Sequence, residues 1–188
     1  CIVLVHGSGP NDRDETIGPN KVFADLATGL AAKGVATLRY DKRTNIHPET
    51  MPKDFTIDDE VTKDAVAAVA MMARTPGVDG KRIYLLGHSL GGAVILHCLR
   101  HHPVARPGRV IFLGTPVMGS RTARWLARRR AGRRLLGHAA AAALLAPQVQ
   151  RWDLPRELGI IAGTLPLGFG QLLMNFGEAN DGTVAVSE

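Results

Sequence analysis

The sequence lacks three features that identify particular classes of protein: the cysteine framework of a disulfide-rich protein, the spanning helix of a membrane protein and the signal of a secreted protein. Cys1 and Cys98 are the only cysteines, too few for a disulfide framework, and Cys98 is expected to be a buried free thiol. The longest apolar runs, 65–73 and 139–146, are far shorter than the ~20 residues of a spanning helix. No secretory signal is visible, which favours a cytoplasmic location. The chain also lacks an initiator Met and begins directly with an apolar strand pattern, so it resembles an excised segment and its compartment stays open.

A basic surface spread over the whole chain is also absent. The net charge is +6, and arginines clustered within 121–134 alone exceed it. The rest of the chain is therefore close to neutral, which argues against a nucleic-acid-binding domain. With 188 residues, 45% hydrophobic and 21% charged, the composition is that of a single globular domain with a substantial core.

The most informative stretch is Gly87-His88-Ser89-Leu90-Gly91. An apolar run, Ile83 to Leu86, precedes it and a helical pattern follows it. A G-x-S-x-G sequence between a strand and a helix is typical of a nucleophile elbow, a turn so sharp that the serine adopts strained dihedral angles. Side chains at the two glycines would collide with the neighbouring strand or helix. Ser89 is therefore the candidate nucleophile.

The remaining pattern alternates strands with helices. Strands are predicted at Ile2 to Val5, Val35 to Tyr40, Ile83 to Leu86, Arg109 to Leu113 and Leu158 to Ala162. Helical spacing lies between them, with one apolar stripe at Val61, Ala65, Ala68, Val69 and Met72. This order predicts an α/β fold with a mostly parallel sheet and helices on both faces. Residues 1–188 are expected to form one domain.

These motifs resemble the α/β-hydrolase superfamily over essentially the whole chain. The stretches His6 to Asn20 and Leu38 to Arg43 are similar to bacterial esterases related to dienelactone hydrolases. The stretches Gly108 to Pro116, Ile160 to Thr164 and Asn180 to Val184 are similar to bacterial lipases of the triacylglycerol and inositol-deacylase type. The resemblance implies an α/β-hydrolase fold, here truncated at both ends, and leaves the substrate open.

In this superfamily, the His-Gly turn after an early strand places a backbone N–H beside the nucleophile. The resemblance therefore implies an oxyanion hole formed by the backbone N–H groups of Ser8 and Leu90. His6 is expected to brace the turn rather than to react. His97 and His101 have the i, i+4 spacing of a metal pair, but no third ligand is evident, so exposed histidines near a helix end are the favoured interpretation and no metal site is assigned.

The order Ser, Asp, His along the chain is typical of the fold. Asp153 and Asp181 are the only aspartates after the elbow, and Asp153 precedes the last visible strand. Asp181 is therefore the candidate acid. No histidine follows it, and Thr183 to Val186 is expected to enter a final strand. The triad histidine is thus expected to lie beyond residue 188, which would leave the isolated chain nearly inactive.

Residues 120–147 stand between two predicted strands, where hydrolases of this type often carry an inserted cap or lid. The arginines lie on all sides of a helical wheel, so the sequence predicts a cap over the Ser89 cleft with its arginines mostly exposed. An ordinary solvated helix is the plainer alternative. A weak contact between 121–134 and an anionic membrane surface also stays open, although no clean apolar face supports it.

Together these features predict a serine hydrolase that cleaves small-molecule or lipid carboxylic esters through an acyl-enzyme on Ser89, with no cofactor. Two alternatives remain. An acyltransferase or thioesterase would share the elbow and the oxyanion hole. A non-catalytic interaction module would keep the scaffold but have an elbow that cannot be acylated.

Overall fold

The computed structural model describes residues 1–101, 109–133, 141, 144–145 and 152–188. The strands are β1 Ile2–Val5, β2 Thr16–Ile17, β3 Asn20–Lys21, β4 Thr37–Leu38, β5 Tyr84–His88, β6 Val110–Leu113 and β7 Leu158–Ile161. The helices are α1 Val22–Ala31, α2 Arg43–Ile46, α3 Lys63–Met72, α4 Leu90–His101 and α5 Arg121–Ala127. Short 3₁₀ turns lie at Pro48–Thr50 and Phe169–Leu172, and a π-helical turn at Asp58–Thr62 leads into α3.

Five of the strands form one parallel sheet in the order β4-β1-β5-β6-β7. β1 lies inside the sheet, pairing Ile2 with Tyr84 of β5 on one side and with Thr37 of β4 on the other. The sequence of β1, Ile-Val-Leu-Val, is buried along its whole length, as expected for a parallel strand covered on both faces. The predicted α/β class with a mostly parallel sheet is confirmed.

Helices cover both faces of this sheet. On one face, Val3 and Val5 of β1 pack with α3 and α4 in the larger core, where all five residues of the predicted stripe on and before α3 are buried. On the other face, Ile2 and Leu4 pack with Phe23 of α1. Within the described parts of the chain, no helix has the length and apolarity needed to span a bilayer.

Two strand predictions differ from the structure. The strand predicted at 35–40 pairs only over Thr37–Leu38, with Ile2 and Val3 of its neighbour β1. The expected strand at Thr183 to Val186 does not form; this region contains an isolated antiparallel bridge between Asn180 and Ala185.

The segment predicted to be a cap begins with α5, which packs on the C-terminal region. Thr122 Oγ1 donates a hydrogen bond of 2.8 Å to the carbonyl oxygen of Thr183, and Arg121 Nε donates one of 2.9 Å to Glu188. Most of the described arginines of the segment are exposed. Residues 134–140, 142–143 and 146–147 lie outside the described residues, so the cap over the cleft stays a prediction.

Candidate active site

Ser89 is the single residue that connects β5 to α4. β5 ends at His88 and α4 begins at Leu90, and Ser89 between them has φ of 52°. A positive φ is uncommon for a residue with a side chain and is found where the surroundings enforce it, often at active sites. The Ser89 N–H donates a 2.9 Å hydrogen bond to the carbonyl oxygen of Leu113 at the end of β6. The half-buried serine is thus fixed at the carboxyl edge of the sheet.

The glycines beside Ser89 allow this tight turn. A Cβ on Gly87 would lie 2.4 Å from the backbone nitrogen of Gly92, and a Cβ on Gly91 would lie 2.2 Å from the carbonyl oxygen of Val5. Both contacts are with backbone atoms, so no side-chain rotation could relieve them. Side chains at these two positions would therefore collide as the G-x-S-x-G pattern predicts: at Gly87 with helix α4, and at Gly91 with strand β1.

The loop after β1 lies directly against the nucleophile. A Cβ on Gly7 would be 3.5 Å from the Cβ of Ser89 and 3.5 Å from the carbonyl oxygen of His88. This is ordinary van der Waals contact, so the loop 7–9 forms one wall around Ser89. The next residue, Ser8, is exposed, and its backbone N–H is the first of the two predicted oxyanion donors.

The two N–H groups that flank Ser8 are both bound by buried carboxylates. Gly7 N–H donates a 2.7 Å hydrogen bond to Glu15 Oε1, and Gly9 N–H donates one of 3.0 Å to Glu60 Oε1. Among the described residues, the Ser8 N–H has no hydrogen-bond acceptor, and neither has that of Leu90. The two predicted oxyanion donors are therefore both unpaired within the described part of the chain.

The carbonyl groups of the same loop are bound by Lys42. Its ammonium group donates hydrogen bonds of 3.0 Å to the Gly7 carbonyl, 2.6 Å to the Gly9 carbonyl and 2.8 Å to Glu60 Oε1. An ammonium group has three protons to donate, so all three are used. Asn11 Nδ2 donates to the remaining carbonyl of the loop, that of Ser8, at 3.1 Å.

Burial dominates the electrostatics of this region. Lys42 is fully buried and Glu60 nearly so. Burial lowers the pKa of Lys42, and the adjacent Glu60 carboxylate opposes that shift. Burial also lowers the pKa of His6, whose Nε2 donates a 2.6 Å hydrogen bond to the Tyr40 carbonyl. The buried His6 thus ties the end of β1 to the chain after β4, which agrees with the expected bracing role.

Asp181 lies at the carboxyl end of the last two strands of the sheet. A Cβ on Gly114, just after β6, would be 3.3 Å from Asp181 Oδ2, and a Cβ on Gly163, after β7, would be 2.8 Å from the Asp181 Cβ. Asp181 Oδ1 accepts hydrogen bonds from the N–H groups of Thr183 at 2.8 Å and Val184 at 2.7 Å. These bonds fix the carboxylate and leave Oδ2 facing the strand ends.

Ser89 and Asp181 are therefore placed at the same edge of the sheet. Ser89 is hydrogen-bonded to Leu113, the last residue of β6, and Asp181 contacts the position of Gly114, the next residue along the chain. The carboxyl edge is where open α/β sheets bind their ligands. The candidate nucleophile and the candidate acid thus lie at the same edge of the sheet, near the end of β6.

The described histidines have other partners. His6 binds the Tyr40 carbonyl, His88 Nδ1 lies 3.1 Å from Glu15 Oε1, and His97 Nε2 lies 3.1 Å from Asp58. His47 lies beside Glu49, and the His101 ring packs 4.6 Å from that of His97. His102 and His138 lie outside the described residues. No group of three or more metal-binding side chains occurs in the described ranges.

Three residues around the site escaped the sequence analysis: Glu15, Lys42 and Glu60. Glu60 directly precedes the predicted apolar stripe, and its carboxylate is buried against Lys42 and Gly9. No spacing rule connects these side chains, because they come from three separate irregular or helix-start segments. Lys42 closely follows the strand predicted at 35–40 and Glu60 precedes Val61 of the stripe, whereas Glu15 lies in a polar stretch between predicted elements, and none of these positions is unusual for a charged residue.

Comparison with known proteins agrees with this geometry. The profile of the Alpha/beta hydrolase family matches residues 2–179. The chain belongs to this family. Esterase EstD of Thermotoga maritima is 53% identical over 91 residues, which are 48% of this chain and 21% of EstD. The match thus spans about a fifth of that relative's length.

A solved structure extends the similarity to almost the whole fold. The mature form of Bacillus licheniformis lipase BlEst2 superposes with a TM-score of 0.66 at 22% identity, covering 98% of this chain and 76% of the lipase. The α/β-hydrolase fold is therefore shared with a lipase. The separate likeness of the two halves of the chain to esterases and to lipases stays a prediction.

Proposed function

We propose that this α/β hydrolase cleaves carboxylic esters through an acyl-enzyme on Ser89. The observation that carries the proposal is the strained Ser89 facing a loop in which the Ser8 N–H is the one N–H without an acceptor among the described residues. A nucleophile beside unpaired backbone donors is the arrangement that acyl transfer requires. The partial match to a protein named an esterase supports the same reaction class.

In the proposed mechanism, Ser89 Oγ attacks the acyl carbon and the carbonyl π electrons move to the oxygen. The N–H groups of Ser8 and Leu90 hold that oxyanion, each contributing about 3–4 kcal/mol of transition-state stabilisation in comparable enzymes. The base takes the Ser89 proton during this attack, and the tetrahedral intermediate then expels the alcohol, which receives that proton from the base. Water attacks the acyl-enzyme in the same way and releases the acid.

Asp181 has the proposed role of orienting the histidine that removes the serine proton. None of the described histidines is assigned this role, because no hydrogen bond or ion pair among the described residues joins any of them to Ser89 or Asp181. Loss of the base in a comparable triad lowers kcat about a million-fold. The 188-residue chain should therefore hydrolyse esters very slowly unless His102 or His138, which lie outside the described residues, supplies the base.

A small cavity adjoins Gly9 of the loop 7–9. It has a volume of about 250 Å³ and is lined by Gly9, Pro10, Thr44, Pro48, Met51, Phe55 and Glu60. Pockets for drug-sized ligands occupy about 300–1,000 Å³, so this one suits a short apolar group. We propose that it receives the acyl chain or the alcohol of a short ester.

The nucleophile can be tested with a serine-directed fluorophosphonate on the full-length protein. The probe should label Ser89, and Ser89→Ala should abolish labelling and hydrolysis of p-nitrophenyl acetate. Ser187→Ala, which alters an exposed serine near Glu178, is the matched control and should retain both. Labelling of a different serine would overturn the assignment.

Product analysis with a panel of p-nitrophenyl esters separates the alternatives. Hydrolysis should be fastest for acetate and butyrate esters and should decline for long chains. Faster transfer of the acyl group to an added alcohol than to water would instead indicate an acyltransferase. The absence of any labelling or turnover in the full-length protein would favour a non-catalytic module.

A further inference from the structure

We propose that Lys42, Glu60 and Glu15 are positioning residues of the oxyanion hole, which together fix the direction of the Ser8 N–H. This inference rests on the function proposed above. The three side chains are buried, and between them they bind the N–H and C=O groups of Gly7 and Gly9. We refer to Glu15, Lys42 and Glu60 as the loop clamp.

The rigidity of the peptide unit explains how Lys42 acts on Ser8. The carbonyl of Gly7 and the N–H of Ser8 belong to one planar trans peptide unit, so the two groups point in opposite directions. The ammonium group of Lys42 holds the Gly7 carbonyl at 3.0 Å from the buried side. The Ser8 N–H must therefore point away from Lys42.

Glu60 completes a closed set of bonds around Gly9. Its Oε1 atom accepts both from Lys42 at 2.8 Å and from the Gly9 N–H at 3.0 Å, while Lys42 also donates to the Gly9 carbonyl at 2.6 Å. Both polar backbone groups of Gly9 are thus bound to one ion pair. The peptide unit after Ser8 cannot rotate without breaking a charge-assisted hydrogen bond in a buried environment.

Glu15 binds the Gly7 end of the loop, and its own backbone has an unfavourable conformation. It has φ of 48°, although it is not a glycine, and its side chain is 1% exposed. Its Oε1 accepts from the Gly7 N–H at 2.7 Å, while its buried Oε2 has no partner among the described residues. A strained, half-satisfied buried carboxylate is unfavourable for stability, which favours a role in shaping the site.

Stability alone is a poor explanation for the clamp. Apolar residues of similar volume often replace a buried ion pair without loss of stability. An apolar replacement could not, however, bind the four backbone groups of Gly7 and Gly9. The clamp is thus suited to fixing a backbone conformation, and its removal should affect catalysis more than substrate binding.

The first test needs no variant and no activity. Amide hydrogen exchange, measured residue by residue in the wild-type protein, should show the Gly7 and Gly9 N–H groups protected at least about tenfold more than that of Ser8. Equal protection of the three amides, or a protected Ser8, would overturn the inference. This result is independent of whether the protein hydrolyses esters.

The second test measures kcat and KM of variants in the full-length protein. Lys42→Met should lower kcat about 100-fold, as expected when an oxyanion donor moves by about 1 Å, and should change KM less than about threefold. The control is Asp64→Asn. Asp64 lies one helical turn after Glu60 and forms an ion pair with Arg43, which this substitution removes. It should keep kcat within about twofold.

Glu15 offers a pair of variants that separates hydrogen bonding from packing. Glu15→Gln retains an acceptor for the Gly7 N–H and should keep most of the wild-type kcat, whereas Glu15→Leu removes the acceptor and should lower kcat more than about tenfold. Wild-type kcat in folded Lys42→Met and Glu15→Leu would overturn the inference while leaving Ser89 as nucleophile. An inactive wild-type protein would reject the proposed function, and the exchange experiment would still decide on the clamp.

Discussion

Gly91→Ala should disrupt both the fold and the site, because the new Cβ has no space. It would lie 2.2 Å from the Val5 carbonyl oxygen and 2.7 Å from that of His6. An ordinary contact needs at least 3.4 Å, so α4 must move away from β1 by about 1 Å. Overpacking of this kind costs about 1–3 kcal/mol or more, which lowers the melting temperature of a chain of this size by about 2–12 °C.

The same displacement would move the Leu90 N–H, which directly precedes Gly91. We expect the rate of Ser89 labelling by a fluorophosphonate to fall about 100-fold, as for other misplacements of about 1 Å. Thermal unfolding followed by circular dichroism measures the first effect, and mass spectrometry of the labelled protein measures the second.

Gly29→Ala is the matched control for this substitution. Gly29 lies inside α1, is exposed, and has no atom within 4 Å of an added Cβ. Alanine there should stabilise the protein by about 0.5–1 kcal/mol because glycine is a poor helix former. A Gly91→Ala protein that melts with the wild type and labels at the wild-type rate would refute the packing argument.

Two further predictions concern titratable groups. Burial raises the pKa of Cys98 to about 12, so iodoacetamide at pH 8 should modify only Cys1 in the native protein and both cysteines in denaturant; rapid native labelling of Cys98 would contradict this. Hydrogen bonds from Lys63 and Thr56 lower the pKa of Asp59 to about 2. This stabilisation is present above the unfolded pKa of about 4 and is lost as the pH falls to about 2. Asp59→Asn should therefore destabilise the protein by less than about 1 kcal/mol at pH 7 and by nothing measurable near pH 2, as thermal unfolding would show; an equal loss at both pH values would count against the ion pair.

The parts of the fold that depend on local pattern were predictable from the sequence. The buried β1 run and the helical stripe that includes Val61 and Met72 are periodic signals that report burial directly. The elbow at Ser89 was predictable because the backbone on either side of it packs too closely for a side chain. Only glycine fits there, so the requirement is visible in the sequence as the G-x-S-x-G pattern. The length of β4 was overestimated because apolar character does not reveal how many residues of a run pair with the neighbouring strand.

The loop clamp was not predictable, for a physical reason. Lys42 and Glu60 meet because the loop after β4 and the π-helical turn before α3 converge under the loop 7–9, and no periodicity encodes that convergence. Glu15 reaches Gly7 only through a positive φ, a conformation that a glutamate in a sequence does not suggest. Charged residues are mostly exposed, so nothing in the sequence distinguishes these three from residues in solvent.

The position of β1 has a consequence for how the chain folds. β1 precedes every other strand of the sheet in sequence, yet its longer partner, β5, begins only at Tyr84. Pairing two strands so far apart requires closure of a long loop, which slows folding. Until β5 is available, one edge of an entirely apolar strand is open to wrong partners. The elbow follows β5 immediately, so the step that completes the centre of the sheet also brings Ser89 against the loop 7–9. A folding intermediate without this pairing would expose an aggregation-prone edge and lack the assembled site.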